Sequence, residues 1–173
     1  MIQQTINDAL NKQMNAEFYS SWLYLSMSGW CYEQNWNGFA HWLLCQAEEE
    51  CGHGMRIFRY IDEREGHYLL DVIPGPNNDW VSLQTLFEAA YAHEQAVTVN
   101  INKLVDLARQ EEDRATAVFL NWFVMEQVEE EKQTNDILRH LETFGDHIGP
   151  VFLLDRELGL RKKDTQNSIS PSV

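Results

Sequence analysis

Four glutamates, Glu17, Glu50, Glu94 and Glu130, each stand in a stretch whose neighbours at helical spacing are apolar, and His53 follows Glu50 by three residues. On a helix, residues three apart share a face, so Glu50-x-x-His53 offers a carboxylate and an imidazole together. Burying an unpaired carboxylate costs several kcal/mol even after relaxation, and four in one place repel one another. Two remedies exist. The groups can protonate through raised pKa values, or two divalent cations can balance four negative charges. No lysine or arginine shares these apolar stripes. An oxygen-rich set with one imidazole suits iron or manganese better than structural zinc, which favours sulfur and nitrogen. A single inward glutamate is ordinarily a misread or partly wet position, and Glu-x-x-His alone is common on helices. Four such positions at matching heights are not.

A second acidic group surrounds the first: Glu49 beside Glu50, and Glu126 and Glu129 one turn apart beside Glu130. On chemistry alone these favour a solvated charged face, because Glu131 and Lys132 continue the run.

The elements that must position these residues are helices. Prolines fall only at 74, 76, 150 and 171, and the long windows between them carry helical apolar spacing. The first helix is expected from Thr5 to Tyr32, opened by a Thr5-Ile6-Asn7-Asp8 capping box. Its stripe is Ile6, Leu10, Met14, Glu17, Ser21, Tyr24 and Ser28. The second runs from Asn37 to Glu65, stops at Gly66, and carries Phe39, Trp42, Leu43, Gln46, Glu50, His53, Ile57 and Tyr60. The third starts after Ser82, a good N-cap, ends near Gln110, and carries Phe87, Ala90, Glu94, Val97, Ile101 and Leu104. The fourth starts after Asp113, ends at Gly145, and carries Phe119, Trp122, Phe123, Gln127, Glu130, Gln133 or Thr134, Ile137 and Leu141. Pro150 fits the first position of a short fifth helix over Val151 to Leu158.

Each long helix spans about 42 Å. The 17 residues from Gly66 to Ser82 reach about 58 Å when extended, enough to cross the whole bundle and make the second and third helices parallel. The other links are short and force antiparallel neighbours. The expected fold is therefore all-α: a four-helix bundle with one long crossover and a short C-terminal helix, the ferritin-like arrangement. Residues 1–160 form one domain, and 161–173 a polar tail expected to be disordered.

Composition excludes several function classes. With 13 basic and 27 acidic residues among 173, the formal charge is −14, which argues against nucleic acid and against an anionic membrane surface. The longest uncharged stretch, Phe18 to Tyr32, is too short to span a bilayer. The first residues lack the basic and apolar regions of a signal peptide. Three cysteines without a CxxC read as reduced thiols, so a cytoplasmic location is expected.

The segments Leu10–Tyr24 (LNKQMNAEFYSSWLY), Ala47–His53 (AEEECGH), Tyr91–Glu94 (YAHE), Phe119–Lys132 (FLNWFVMEQVEEEK) and Lys163–Asn167 (KDTQN) resemble the ferritins, in particular the bacterial non-haem ferritins. The resemblance implies that Glu17, Glu50 and His53 hold a first iron and that Glu94 and Glu130 hold a second, with Glu50 bridging. It implies that Gln127 lies beside the second iron and orients dioxygen or water. It also implies that Tyr24 is a hydrogen-bond partner and one-electron donor, near the aromatic Trp122. Glu49, Glu126 and Glu129, with Glu130 shared, resemble the third iron site of the bacterial subgroup.

Departures narrow the subgroup. Bacterioferritins carry a second Glu-x-x-His on the fourth long helix, where this chain reads Gln127-Val128-Glu129-Glu130. They bind haem through a Met after the bridging glutamate, where this chain has Cys51, so no haem is expected. Ala117 and Leu120 stand where animal chains line their threefold channel with acids, leaving Glu111, Glu112 and Asp113 as candidates for the iron route. The implied activity is a ferroxidase: Fe(II) is oxidised by O2 or H2O2, and Fe(III) is stored as an oxyhydroxide mineral inside a 24-subunit homo-oligomeric cage. A di-iron oxygenase or reductase subunit acting on an organic substrate is the alternative. It needs a substrate pocket and an electron partner, and no rubredoxin-like CxxC pair is present. A purely structural shell subunit leaves the four carboxylates unexplained.

Overall fold

The helical periodicity is realised in five helices: α1 Gln4–Glu33, α2 Asn37–Glu63, α3 Leu83–Gln110, α4 Arg114–Phe144 and α5 Ile148–Leu158. The computed structural model describes residues 2–145 and 147–162, so the tail expected at 161–173 lies outside the described residues from Lys163 onward. Among those described there is no strand, and no helix is long and apolar enough to cross a membrane.

Two expected N-termini hold. The Ser82 hydroxyl accepts from Thr85 N at 3.1 Å, and the Asp113 carboxylate accepts from Thr116 N at 3.0 Å. Three local expectations need correction. α1 begins a residue before Thr5, from an extended Gln3, without a side-chain cap. The buried Ile2, whose N–H donates to Arg64 O at 3.0 Å, pins the preceding chain to the end of α2 and starts the helix early. Asp8 instead accepts from Gln4 Nε2 at 2.7 Å. α2 ends at Glu63, and Glu65, not Gly66, takes the left-handed turn (φ 52°). Gly66 is demanded by space: a Cβ there would overlap Asn7 Oδ1 and lie 2.8 Å from Ile61 Cγ2. α5 begins at Ile148, which puts Pro150 third, still within the turn where a missing N–H breaks no helical bond. Along the stripes, Ser21 and Phe119 are half-buried, and Leu120 is buried beside Phe123 instead.

The crossover is fixed by a ladder on one face of α1. Asn7, Asn11 and Asn15, spaced by one turn, hold alternate residues of the extended segment. Asn7 Oδ1 accepts from His67 N (3.0 Å), Asn11 Oδ1 from Leu69 N (2.7 Å) and Asn15 Oδ1 from Asp71 N (2.9 Å). Their amide groups donate back to the carbonyls of His67 and Leu69. Period two of an extended chain thus meets the one-turn spacing of a helix. Farther on, Ser26 Oγ donates to Asn77 O. The crossover therefore follows α1 to its far end, where α3 starts, and α3 runs parallel to α2.

α5 closes the end of the bundle. Its Asp155 carboxylate accepts from Gly38 N (2.8 Å) and Phe39 N (3.0 Å), capping α2, which has no cap of its own. A Cβ on Gly38 would overlap the Asp155 carbonyl, so only glycine permits this approach.

Two apolar clusters fill the bundle. One gathers Tyr24, Phe39, Leu43, Phe87 and Leu141, and the other Ile6, Leu10, Ile57, Ile101 and Phe123. On each long helix the segment between the two contributes buried polar residues: Glu17 and Ser20, then Gln46, Glu50 and His53, then Glu94, and lastly Gln127, Glu130 and Thr134. Replacing Asn11 by Ala removes two clamps on the crossover. A loss of about 2 kcal/mol in unfolding free energy is expected, with faster amide exchange at Leu69. Unchanged exchange there would show that the ladder does not hold the segment.

Candidate metal centre

Each long helix sends one glutamate into the polar layer. Glu17, Glu50, Glu94 and Glu130 are at most 2% exposed, and His53 is 1% exposed. Donor atoms of Glu17, Glu50 and His53 lie within 4.8 Å of one another, and so do those of His53, Glu126 and Glu130. His53 Nδ1 sits 3.4 Å from Glu50 Oε2, and its Nε2 sits 3.8 Å from Glu126 Oε1. Among the described residues, no lysine or arginine side chain bonds to any of the four glutamates.

Neutral side chains hold these carboxylates instead. Gln13, one turn before Glu17, donates to Glu17 Oε1 at 2.7 Å. Tyr24 Oη donates to Glu94 Oε1, and Gln127 Nε2 donates to Glu94 Oε2 at 3.2 Å. Gln46 Nε2 donates to Glu130 Oε2. Among the described residues, three buried side-chain polar atoms have no hydrogen-bond partner: Trp80 Nε1, away from this layer, and within it Glu17 Oε2 and His53 Nε2. Orphaned polar atoms in a dry interior cost on the order of 1–3 kcal/mol each, and the latter two belong to the trio whose donor atoms converge.

Burial drives the electrostatics. It raises the pKa values of Glu50, Glu94 and Glu130, and neighbouring carboxylates raise them further: Glu94 and Glu17 act on Glu50, Glu17 on Glu94, and Glu50 and Glu94 on Glu130. For Glu94 the bonds from Tyr24 and Gln127 oppose the rise. Burial, then Glu94, Glu50 and Glu130, push the Tyr24 hydroxyl well above its ordinary value. Beside it, burial lowers His93 to about 4, and its Nε2 lies 2.8 Å from Ser20 Oγ.

The expected outer acids have separate partners. Glu126 is half-buried at His53. Glu49 is half-buried and pairs with Arg161 Nη2 at 2.6 Å. Glu129 is exposed and accepts from Gln133 Nε2 at 2.8 Å. Trp122 meets the His53 ring edge-on at 5.2 Å and carries Arg56 over its face at 4.1 Å. Gly54, next to His53, is glycine for space, since a Cβ would lie 2.6 Å from the Phe18 ring.

Sequence reasoning assigns no role to Gln13, Gln46 or Arg161. Gln13 carried a signal: it precedes Glu17 by four residues, the spacing of side chains that meet on a helix, whereas Gln46 reaches Glu130 on another helix. Arg161 carried none.

Five helices with a long crossover, enclosing a layer of four glutamates and one histidine, define a carboxylate-bundle protein of the ferritin-like class. Comparisons with known proteins agree. A sequence model of the ferritin-like domain matches residues 7–144. The chain is 40% identical over 164 residues to the bacterial non-heme ferritin of Staphylococcus saprophyticus, covering 95% of this chain and 98% of that one. It is 36% identical over 166 residues to the bacterial non-heme ferritin of Staphylococcus aureus, covering 96% and 100%. The open-pore ferritin of the hyperthermophilic archaeon Archaeoglobus fulgidus superposes with a TM-score of 0.92 at 42% identity, over 93% of this chain and 98% of that one. The chain belongs to the ferritin family.

The raised carboxylates give a pH signature. Without metal, the folded chain keeps protons on Glu50, Glu94 and Glu130 that the unfolded chain releases near pH 4.3, roughly the ordinary glutamate value. The native state therefore binds more protons, and its stability falls as pH rises from about 4.3 toward the raised values. Calorimetry of metal-free protein is expected to show a lower Tm at pH 8 than at pH 5, with the difference shrinking in Glu50→Gln. A Tm that rises over that interval and does not respond to Glu50→Gln would contradict the arrangement.

Proposed function

We propose that this protein is an iron store with ferroxidase activity, in which Fe(II) is substrate and cargo. Glu17, Glu50 and His53 receive one ferrous ion, Glu94 and Glu130 a second, and Glu50 reaches both. The observation that carries this reading is the two atoms of this layer without a hydrogen-bond partner, Glu17 Oε2 and His53 Nε2, within a set of carboxylates that no lysine or arginine neutralises among the described residues. Two dications would satisfy both atoms and neutralise the four glutamates.

Two ferrous ions supply two electrons, which with two protons take dioxygen to the level of hydrogen peroxide and leave two ferric ions. The chain's part is to fix two metals side by side with open positions facing the oxidant. Tyr24 holds Glu94 through its hydroxyl and stands ready as a one-electron donor. Gln127, bonded to Glu94, orients dioxygen or water. Carboxylates protonated in the empty site must release protons on loading, which makes uptake favour neutral over acid pH. Either O2 or H2O2 can serve as oxidant.

Ferric product then moves to a cavity enclosed by 24 copies of the chain and deposits as an oxyhydroxide mineral. Exposed apolar residues support assembly: Leu70, Val72 and Val81 on and beyond the crossover, and Ile148, Phe152 and Leu153 on α5. A third iron site formed by Glu49, Glu126 and Glu129 with Glu130, a haem-free shell and a cytoplasmic location complete the reading, with residues 1–160 as the functional bundle.

Stopped-flow mixing of Fe(II) with aerated protein tests this directly. Glu50→Ala or His53→Ala is expected to slow the fast oxidation by more than the roughly 10–100-fold that loss of an outer-shell partner of a metal ligand costs, while the assembled particle keeps its size. Rates matching the unaltered protein would refute the site. Glu129→Ala is expected to change the ratio of iron oxidised to oxygen consumed more than the initial rate. An unaltered ratio would remove Glu129 from the third site.

A further inference from the structure

Arg161 follows α5 directly, and the turn before it brings Gly159 against Gly38 at the start of α2. From there its side chain lies along one face of α2, over three residues at helical spacing. Nη1 donates to Trp42 O (3.3 Å) and Gln46 Oε1 (2.7 Å), and Nη2 donates to Glu49 Oε2 (2.6 Å). The guanidinium also sits 4.6 Å from the centre of the Trp42 ring. The Arg161 carbonyl is 2.9 Å from His41 Nε2, so main chain and side chain are both fastened to α2. The pair is well shielded, at 16% exposure for Arg161 and 14% for Glu49.

This placement has a consequence for the third metal site proposed above. Glu49 lies beside the dinuclear centre, and the charge that neutralises it belongs to the protein. A metal ion and a guanidinium are alternative partners for the same carboxylate oxygen, because close approach of both cations brings like charges together in a shielded place. Gln46 completes the picture. Its carbonyl oxygen is taken by Arg161, which turns its amide N–H groups toward Glu130. One arginine thereby bonds Glu49 directly and reaches Glu130 through Gln46, without bonding to any of the four stripe glutamates.

We propose that Arg161 competes with the third metal ion for Glu49, so that loading this site releases the guanidinium and loosens the hold of the segment after α5 on α2. The proposal rests on the third-site reading. Linkage makes the coupling reciprocal: whatever fastens this segment weakens the third site, and metal at the third site frees the segment.

Calorimetric titration of the assembled, metal-free protein with Zn(II), which cannot be oxidised, tests the proposal. The series comprises the unaltered protein, Arg161→Gln, Arg161→Lys and the double variant Arg161→Gln/Glu49→Gln. Two tight steps and a third, weaker one are expected in the unaltered protein. Arg161→Gln should tighten the third step about tenfold, the size expected of one shielded charge-assisted pair, and leave the first two in place. Arg161→Lys should stay near the unaltered value, and the double variant should lose the gain. A third step that ignores Arg161→Gln overturns the competition and spares the third site. Absence of a third step in every variant, with the first two intact, overturns the third site and the competition with it. Weakening of all three steps alike would make Arg161 a structural strut and also overturn the competition.

Discussion

Desolvation of negative charge at the middle of the bundle is the constraint on which the structure turns. Four carboxylates sit between two apolar clusters, out of reach of water and of any lysine or arginine side chain among the described residues. In that setting an ionised glutamate is costly, a protonated one is affordable, and a metal-bound one is favourable. The bundle therefore has a local deficit of positive charge that only protons or metal ions relieve. Glu17 Oε2 and His53 Nε2, which have no hydrogen-bond partner, lie within that layer.

The surrounding architecture serves this layer. The asparagine ladder on α1 fixes the crossover, which sets α3 parallel to α2 and puts Glu94 opposite Tyr24. Gly54 lets α1 approach α2 beside His53, and Gly38 lets α5 dock and cap α2. The glutamines hold the site in shape by donating to carboxylates without neutralising them, so the charge deficit survives. An arginine in place of Gln13 or Gln46 would remove the reason to bind metal.

Much of the bundle was legible because burial writes a period into sequence. The stripes of the four long helices, the Ser82 and Asp113 caps and the length of the crossover all follow from local chemistry that tertiary contacts reinforce. The misreadings are places where a distant contact overrides a local rule. Thr5 loses its cap because Ile2 anchors to Arg64, and α2 ends at Glu63 instead of Glu65, with Gly66 marking a close approach of Asn7. Within the site, the stripe glutamates were legible because carboxylates on an apolar face contradict their surroundings. The outer acids were not, because Glu49, Glu126 and Glu129 sit at a polar boundary. There, orientation toward Arg161, His53 or Gln133 depends on elements far away in the chain. Arg161 belongs to a segment whose composition reads as a tail, and only the docking of α5 brings it to Glu49.

The most direct measurement is anomalous diffraction at the iron edge from crystals exposed to Fe(II) without oxygen. The account predicts two neighbouring iron peaks in the buried layer, one within bonding distance of Glu17, Glu50 and His53, the other of Glu94 and Glu130. Iron confined to the exterior, with the buried glutamates unshifted, would contradict it.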